Sequence, residues 1–342
     1  MFNARSYSDL QTYGRCPKQY QYRVINNLQR KKRGVALYQG SLAHEAWMVY
    51  YLAIQASAEN PWGEVEDFFL NKYEEDSNLL FEDELADKRI IIEDTEDILA
   101  RYLYFHEDDW TILHVEEQFF VTLDSGEMIS FTPDLIIRDA DGLVWIVDHK
   151  TTSAMPKDGV PFSDLQALLY YAGVKELYPD LQGFIFNYAR KKRPSEVRLN
   201  KTMGKDGIRH VNNVMKLDTT YEMLFAFLTN EAPQLLDLEM YRRRLAELRD
   251  NNRFFFREYL TFSDEQANAV LQDAADRVQL IELSEQAGLY PRTFQKTGVQ
   301  GCEGCGFRSL CHGEMLDWNT QLILDEEYEP RDPKNPYETE TE

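Results

Sequence analysis

The sequence predicts an α/β protein with a mixed central sheet flanked by helices, and three observations predict it. The middle of the chain runs in the order three strand-like stretches, a helix, and a further strand. Helical patterns lie before and after that core. The 342 residues are 43% hydrophobic and include 20 Tyr, 19 Phe and 5 Trp, enough for a sizeable core and too aromatic for a disordered chain.

Taken in order, Ser8 can cap a first helix that leads into Cys16-Pro17 and the aromatic-basic stretch KQYQYRVINNL. Gly40 to about Ser57 reads as a helix apolar on most faces, hence buried. The acidic stretch that follows reads as two or three amphipathic helices in an outer layer, for example Asp94 to Asp109 with Ile98, Leu99, Tyr102 and Phe105 on one side. Ile112 to Leu123 and Met128 to Arg138 are strand-like, and Asp141-Gly142 offers a hairpin turn into Leu143 to Val147. A helix from about Asp164 to Leu177 and a strand from Gln182 to Tyr188 complete the core. Helices are expected again from about Thr219 to Arg249 and from Ser263 to Ala287, the latter opening on a capping box, Ser263 to Gln266, with Phe262 as staple. Pro330, Pro333 and Pro336 make order improbable in the acidic tail. The expected divisions are an N-terminal helical segment (1–58), an acidic helical insertion (59–110), a core with a basic loop (111–218), a C-terminal helical region (219–324) and a disordered acidic tail (325–342).

No apolar leader opens the chain, and no uncharged apolar run approaches the ~20 residues needed to cross a bilayer. A cytoplasmic protein without membrane contact is expected. The formal charge of −22 at first speaks against nucleic acid, whose phosphates are bound by Lys and Arg. Its distribution removes that objection. Residues 59–117 carry a net −16 and residues 325–342 a net −6, so the remainder is balanced. Residues 188–216 hold nine Lys/Arg against two acids, with Arg190, Lys191, Lys192 and Arg193 consecutive, and read as a basic loop that binds DNA, a solvated, mobile surface loop being the alternative. A second basic stretch spans Arg30 to Arg33.

The chemistry concentrates in FTPDLIIRDADGLVWIVDHKTT. Residues i and i+2 of a strand share a face, so Asp148 and Lys150 project together while His149 faces away. A hairpin through Asp141-Gly142 lays Asp134 near Asp148. Two carboxylates and an ammonium then meet at one end of the sheet, and such oxygen ligands suit Mg2+ or Mn2+.

Pro133-Asp134 followed by Asp148-His149-Lys150 resembles the signature of the PD-(D/E)XK nucleases. Ser8-x-Leu10 with Cys16-Pro17, Gly40-Ser41-Leu42-Ala43-His44, Gln166-x-x-x-Tyr170 and a C-terminal cysteine cluster extend the resemblance to the RecB/AddB-like branch, which includes CRISPR-adaptation nucleases, over residues 8–311. The resemblance implies a restriction-endonuclease-like core, with Asp134, Asp148 and Lys150 catalytic and His44, Asp134 and Asp148 ligating metal. It implies that Gln166 and Tyr170, on one helix face, lie beside the scissile strand, Tyr170 touching DNA. A capping role for Gln166, through Ser163-Asp164-Leu165-Gln166, and a core role for Tyr170 are the alternatives. Glu116 or Glu117 matches a further acidic position, and the choice between them stays open.

Four cysteines, Cys16 and Cys302-x2-Cys305-x5-Cys311, suit metal ligation better than disulfides in a chain without a leader. Their chemistry alone admits tetrahedral zinc. By resemblance they hold a [4Fe-4S] cluster that fastens the two ends of the chain. The expected function is therefore metal-dependent exonuclease action on single-stranded DNA or DNA ends, in recombination or DNA processing, with phage-encoded and CRISPR-adaptation settings both open. A non-catalytic DNA-binding scaffold is the rival, and the acidic region could recruit a basic protein partner. No G-x-x-x-x-G-K-[ST] loop is present, so no helicase motor is expected.

Overall fold

Pro133 decides the architecture, because it lacks the N–H that a continuous ladder from Met128 to Arg138 would need. A computed structural model describes residues 4–31, 35–79, 82–106, 108–154, 164–294 and 301–331. The chain begins with β1 (Arg5–Ser6), α1 (Tyr7–Arg15), α2 (Pro17–Tyr20) and β2 (Leu28–Arg30), then three long helices, α3 (Val35–Gln55), α4 (Pro61–Leu79) and α5 (Glu82–Phe105). Five strands follow: β3 (Thr111–Val115), β4 (Phe119–Thr122), β5 (Met128–Phe131), β6 (Leu135–Arg138) and β7 (Val144–Thr152). After them come α6 (Leu165–Lys175), β8 (Leu181–Arg190), α7 (Tyr221–Glu231), α8 (Glu239–Asp250), β9 (Phe255–Thr261) and α9 (Asp264–Ala287). The described chain ends with α10 (Arg308–Met315), α11 (Thr320–Glu327) and β10 (Tyr328–Pro330).

The main sheet has the order β3-β6-β7-β8-β9, with β7 and β8 parallel and the other pairs antiparallel. A second sheet, β1-β5-β4, stands beside it. Each long strand-like stretch of the sequence is thus divided between two sheets. Met128 to Arg138 switches sheets at Pro133. Ile112 to Leu123 switches after Val115, where Glu116 adopts a left-handed φ of 47°. The expected hairpin at Asp141-Gly142 joins β6 to β7, with Gly142 at φ 83°. β9 goes beyond the expected elements, which pass from Arg249 to Ser263 without a strand.

Alternation of side chains divides the core. On one face Ile136, Val144, Ile146, Phe184 and Phe186 pack with α6, α9 and α1. On the other, Leu135, Ile137, Val147 and Ile185 pack with α3, α4 and α5. Of the acidic helices, α5 reaches β8 and α4 packs on α3 and α5, with Val65, Phe69, Leu99 and Tyr102 buried beneath their charged faces. Residues 211–248 form a separate apolar cluster around α7 and α8.

Several expectations are corrected. Ser6, rather than Ser8, caps α1, because Asp9 stands three residues on and closes a capping box with it. The single helix expected from Thr219 to Arg249 breaks at Ala232-Pro233, where the proline opens a 3-10 turn. Residues 325–331 of the expected disordered tail are structured. Residues up to Glu327 continue α11, and β10 pairs antiparallel with β2 despite Pro330, which sits on an edge. Ser263 caps α9 with Gln266 as expected. Ser163, residues 32 and 33 of the second basic stretch, and residues 332–342 lie outside the described residues.

Candidate active site

Both sheet switches deliver a carboxylate. Asp134 immediately precedes β6, and the pairing of Leu135 with Val147 sets it level with Asp148 on β7. Pairing of Val115 with Leu135 sets Glu116 level with Asp134 in the same way, and the Glu116 N–H donates to the Asp134 carbonyl at 3.0 Å. His44 comes from α3, with Nδ1 3.3 Å from Asp134 Oδ2. Ligand atoms of His44, Glu116 and Asp134 all lie within 4.8 Å of one another, the one such group among the described residues. Ligands that share a cation at about 2.1 Å stand no more than about 4.2 Å apart, so a small closure would seat an ion.

Beside this trio Lys150 Nζ lies 2.8 Å from Asp148 Oδ2. Gln166 ties the pair together, donating to Asp148 Oδ1 at 2.9 Å and facing Lys150 Nζ at 3.3 Å through its own oxygen. Asp164, not Gln166, does the capping work on α6, accepting from the Ala167 N–H at 3.0 Å. Gln166 is thereby left for the site.

Electrostatics mark the same place. Burial, with Asp134 and Asp148 adding, pushes the Glu116 carboxyl far above the usual range. Burial also raises Asp148, against the pull of Lys150 and with the push of Asp134. Burial would raise Asp134 too, but His44 and Lys150 overcome it and hold that carboxyl low. Burial works against the Lys150 ammonium, and Asp148 and Asp134 outweigh it, so its pKa is raised and the charge retained. Three carboxylates with this mutual repulsion suit a cation.

Of the expected residues, Asp134, Asp148, Lys150, His44 and Gln166 are brought together. Tyr170 is not on the surface: it is 5% exposed, stacked on Phe131 with centroids 4.8 Å apart and edge-on to Tyr7. Its ring belongs to the core, and its side chain hydrogen-bonds Gln166. The basic run is also changed from an open loop. Arg190 and Lys192 each reach Asp218 at 2.9 Å, and Arg193 reaches Asp94 and Asp97 of α5 at 2.6 and 3.3 Å. The Lys191 N–H donates to the Thr152 carbonyl. Carboxylates thus neutralise Arg190, Lys192 and Arg193. Glu116 is the residue the sequence left undecided. Counting register from Asp134 finds it, whereas Glu117 turns away to His114.

Cys16, Cys302, Cys305 and Cys311 line one cavity of about 200 Å3 beneath α10, and none is in a disulfide. Burial raises the Cys16 thiol, but hydrogen bonds from Thr293, Gln19 and Lys18 outweigh it and lower its pKa. Arg292 Nε donates to Cys311 Sγ at 3.2 Å. The surroundings of Cys16 favour its thiolate.

A model of the PD-(D/E)XK nuclease superfamily matches residues 4–312. The chain belongs to the PD-(D/E)XK nuclease superfamily. The matched span of this superfamily member contains Pro133-Asp134 and Asp148-His149-Lys150, and its mixed sheet flanked by helices agrees with the superfamily's core. Among solved structures, SSO0001 is similar at 10% identity over 71% of this chain and 78% of its own, with a TM-score of 0.30. A proposed exonuclease from Eubacterium rectale is similar at 14% identity over 72% of this chain and 81% of its own, with a TM-score of 0.34. No protein of curated function matches. Among the described residues no helix is long and apolar enough to cross a membrane.

Proposed function

We propose that this superfamily member is a divalent-metal-dependent deoxyribonuclease that acts as an exonuclease on single-stranded DNA or DNA ends. One observation carries the reading: His44, Glu116 and Asp134 converge within 4.8 Å beside the Asp148–Lys150 pair. Two carboxylates with one imidazole, and Asp148 beside them, suit Mg2+ and, through the softer nitrogen, Mn2+. Bound there, the cation would neutralise the scissile phosphate and lower the pKa of water.

The protein's own part follows from the distances. Lys150, held as a cation by Asp148, orients the attacking water and offers an N–H to a phosphate oxygen. Gln166 keeps both side chains of that pair in place. Water adds its oxygen to phosphorus, the P–O3′ bond breaks, and the proton ends on the leaving 3′-oxygen. Digestion of 5′- and 3′-labelled oligonucleotides in Mg2+, Mn2+ or EDTA tests this. Stepwise release of mononucleotides with metal alone, abolished by Asp148→Ala and Lys150→Ala, is expected. Full activity in either variant would favour the non-catalytic scaffold, and absence of metal-dependent cleavage would remove the enzyme.

The cysteine cavity supports a [4Fe-4S] cluster, as in the RecB/AddB-like branch, with a structural role. No three of these sulfurs approach within 4.8 Å of one another, wider than the ~3.8 Å edge of a zinc tetrathiolate. The same junction already carries Lys18–Glu314 at 2.8 Å, Tyr22 against Phe307 and the β2–β10 pair, so a cluster would reinforce an existing seam. Protein purified without oxygen should be brown and contain iron and sulfide. Colourless protein with stoichiometric zinc would exclude the cluster.

A further inference from the structure

A row of side chains continues from Lys150 across the sheet and takes no part in the chemistry above. Lys150 on β7 pairs with Tyr188 on β8, and Tyr188 pairs with Phe256 on β9. Residues directly opposite on neighbouring strands project from one face. Lys150, Tyr188 and Phe256 are therefore level with one another, on the face that carries Asp148 and is packed by α6.

The two rings are stacked, with centroids 6.3 Å apart and planes 28° from parallel. They end an aromatic run that begins in the core at Phe184 and continues through Phe186 to Tyr188, at 4.8 and 6.1 Å. Phe184 and Phe186 are buried, Tyr188 is half-buried, and Phe256 is 42% exposed and belongs to none of the buried clusters. A single exposed Phe needs no explanation. This one is supported from beneath by a ring in register with Lys150. Strands stand about 4.8 Å apart, so Phe256 lies about 10 Å across the sheet from Lys150, within reach of a base attached beside a bound phosphate.

Resting on the nuclease reading, we infer that Tyr188 and Phe256 form a stacking platform for an unpaired base next to the scissile phosphate, which makes single-stranded DNA the preferred substrate. Bases of a duplex are already paired and stacked, whereas an unpaired base presents its π-face to an aromatic ring, whatever its identity.

The test compares wild type, Phe256→Ala and Phe256→Trp, with thermal unfolding to show that all three fold. Anisotropy of labelled oligothymidylate in EDTA reads binding without turnover, and cleavage in Mn2+ reads KM and kcat on single-stranded and blunt duplex DNA. Phe256→Ala should weaken single-strand binding and raise KM about tenfold, leaving kcat and duplex cleavage within about twofold, and Phe256→Trp should restore affinity. An abasic residue beside the scissile bond should cost the wild type the same factor and cost Phe256→Ala nothing more. Equal binding by wild type and Phe256→Ala, or equal losses on single-stranded and duplex DNA, overturns the platform while leaving the nuclease intact. Binding that depends on Phe256 without any cleavage upholds the platform and overturns the nuclease.

Discussion

Trp47 stacks on His149 with ring centroids 4.4 Å apart and planes 13° from parallel. His149 is the middle residue of Asp148-His149-Lys150, and its ring points to the opposite face of the sheet. Its backbone N–H nevertheless holds Asp134 Oδ2 at 2.6 Å. Trp47 lies three residues after His44 on α3, so the stack sets the spacing between α3 and β7 that brings His44 to Asp134. Asn187 donates to His149 Nδ1 at 2.7 Å and accepts from Arg257 at 3.1 Å, and Arg257 is clamped by Asp108.

His149→Ala removes both the stack and the bond from Asn187. A stability loss of about 3 kcal/mol is expected, with a rise of about tenfold to a hundredfold in the Mn2+ concentration for half-maximal cleavage. His149→Phe retains the stack and should recover most of the metal response. A metal requirement unchanged in His149→Ala would show that α3 is positioned without this contact.

The two adjacent glutamates separate cleanly. Glu116 faces Asp134, while Glu117 bonds His114, whose other ring nitrogen meets Tyr178 at 2.6 Å. Glu116→Gln should raise the metal requirement at least about tenfold, since it removes an anionic donor. Glu117→Gln should leave it within about twofold. Metal titration of cleavage in the two variants gives the answer, and the reverse ranking would move the ligand to Glu117.

Gly183 permits the close approach of β8 to β9. A Cβ there would stand 1.9 Å from the Leu260 carbonyl oxygen and 3.2 Å from Thr261 Cα. Backbone cannot yield as a side chain can, so Gly183→Ala should cost about 3 kcal/mol in urea unfolding. Gly63 is the contrast. Its added Cβ would meet only the flexible Asn60 side chain at 2.6 Å, at the exposed start of α4. Gly63→Ala should fall within about 1 kcal/mol of wild type.

How much of this was legible follows from the range of each signal. Asp134, Asp148 and Lys150 are joined by one hairpin, so two-residue alternation and Asp141-Gly142 suffice to bring them together. His44 and Gln166 came from resemblance, because nothing local says that α3 or α6 reaches Asp134 or Asp148. Glu116 needed the register of β3 on β6, a pairing between strands twenty residues apart. The sheet switch at Pro133 was readable in principle, since proline cannot continue a ladder, yet an apolar run on both sides hides it. Ion pairs such as Arg193 with Asp94 depend on packing between distant segments. The −16 region was legible in charge but not in place: its buried stripe packs on α3 and, through α5, reaches β8, and its carboxylates take up basic-loop charge.

Arg5 and Glu285 join the first strand to the last turn of α9, and their pairing makes stability depend on acid. Arg5 donates through both Nη atoms to the two Glu285 oxygens at 3.0 and 2.8 Å, and the Tyr20 hydroxyl donates to Oε1 at 2.8 Å. The hydrogen bonds from Arg5 hold the Glu285 carboxyl below its ordinary value, with burial opposing and Tyr20 assisting. A carboxyl depressed in the folded state contributes its full stability above the unfolded pKa of about 4.3. That contribution is lost as pH falls through the lower folded value. Glu285→Gln should therefore cost about 2 kcal/mol at about pH 7. In urea unfolding the gap to wild type should narrow steadily as pH drops below about 4, because both side chains are then neutral. A gap that stays constant across that range would mean that shape, rather than the charge on Glu285, supports the junction.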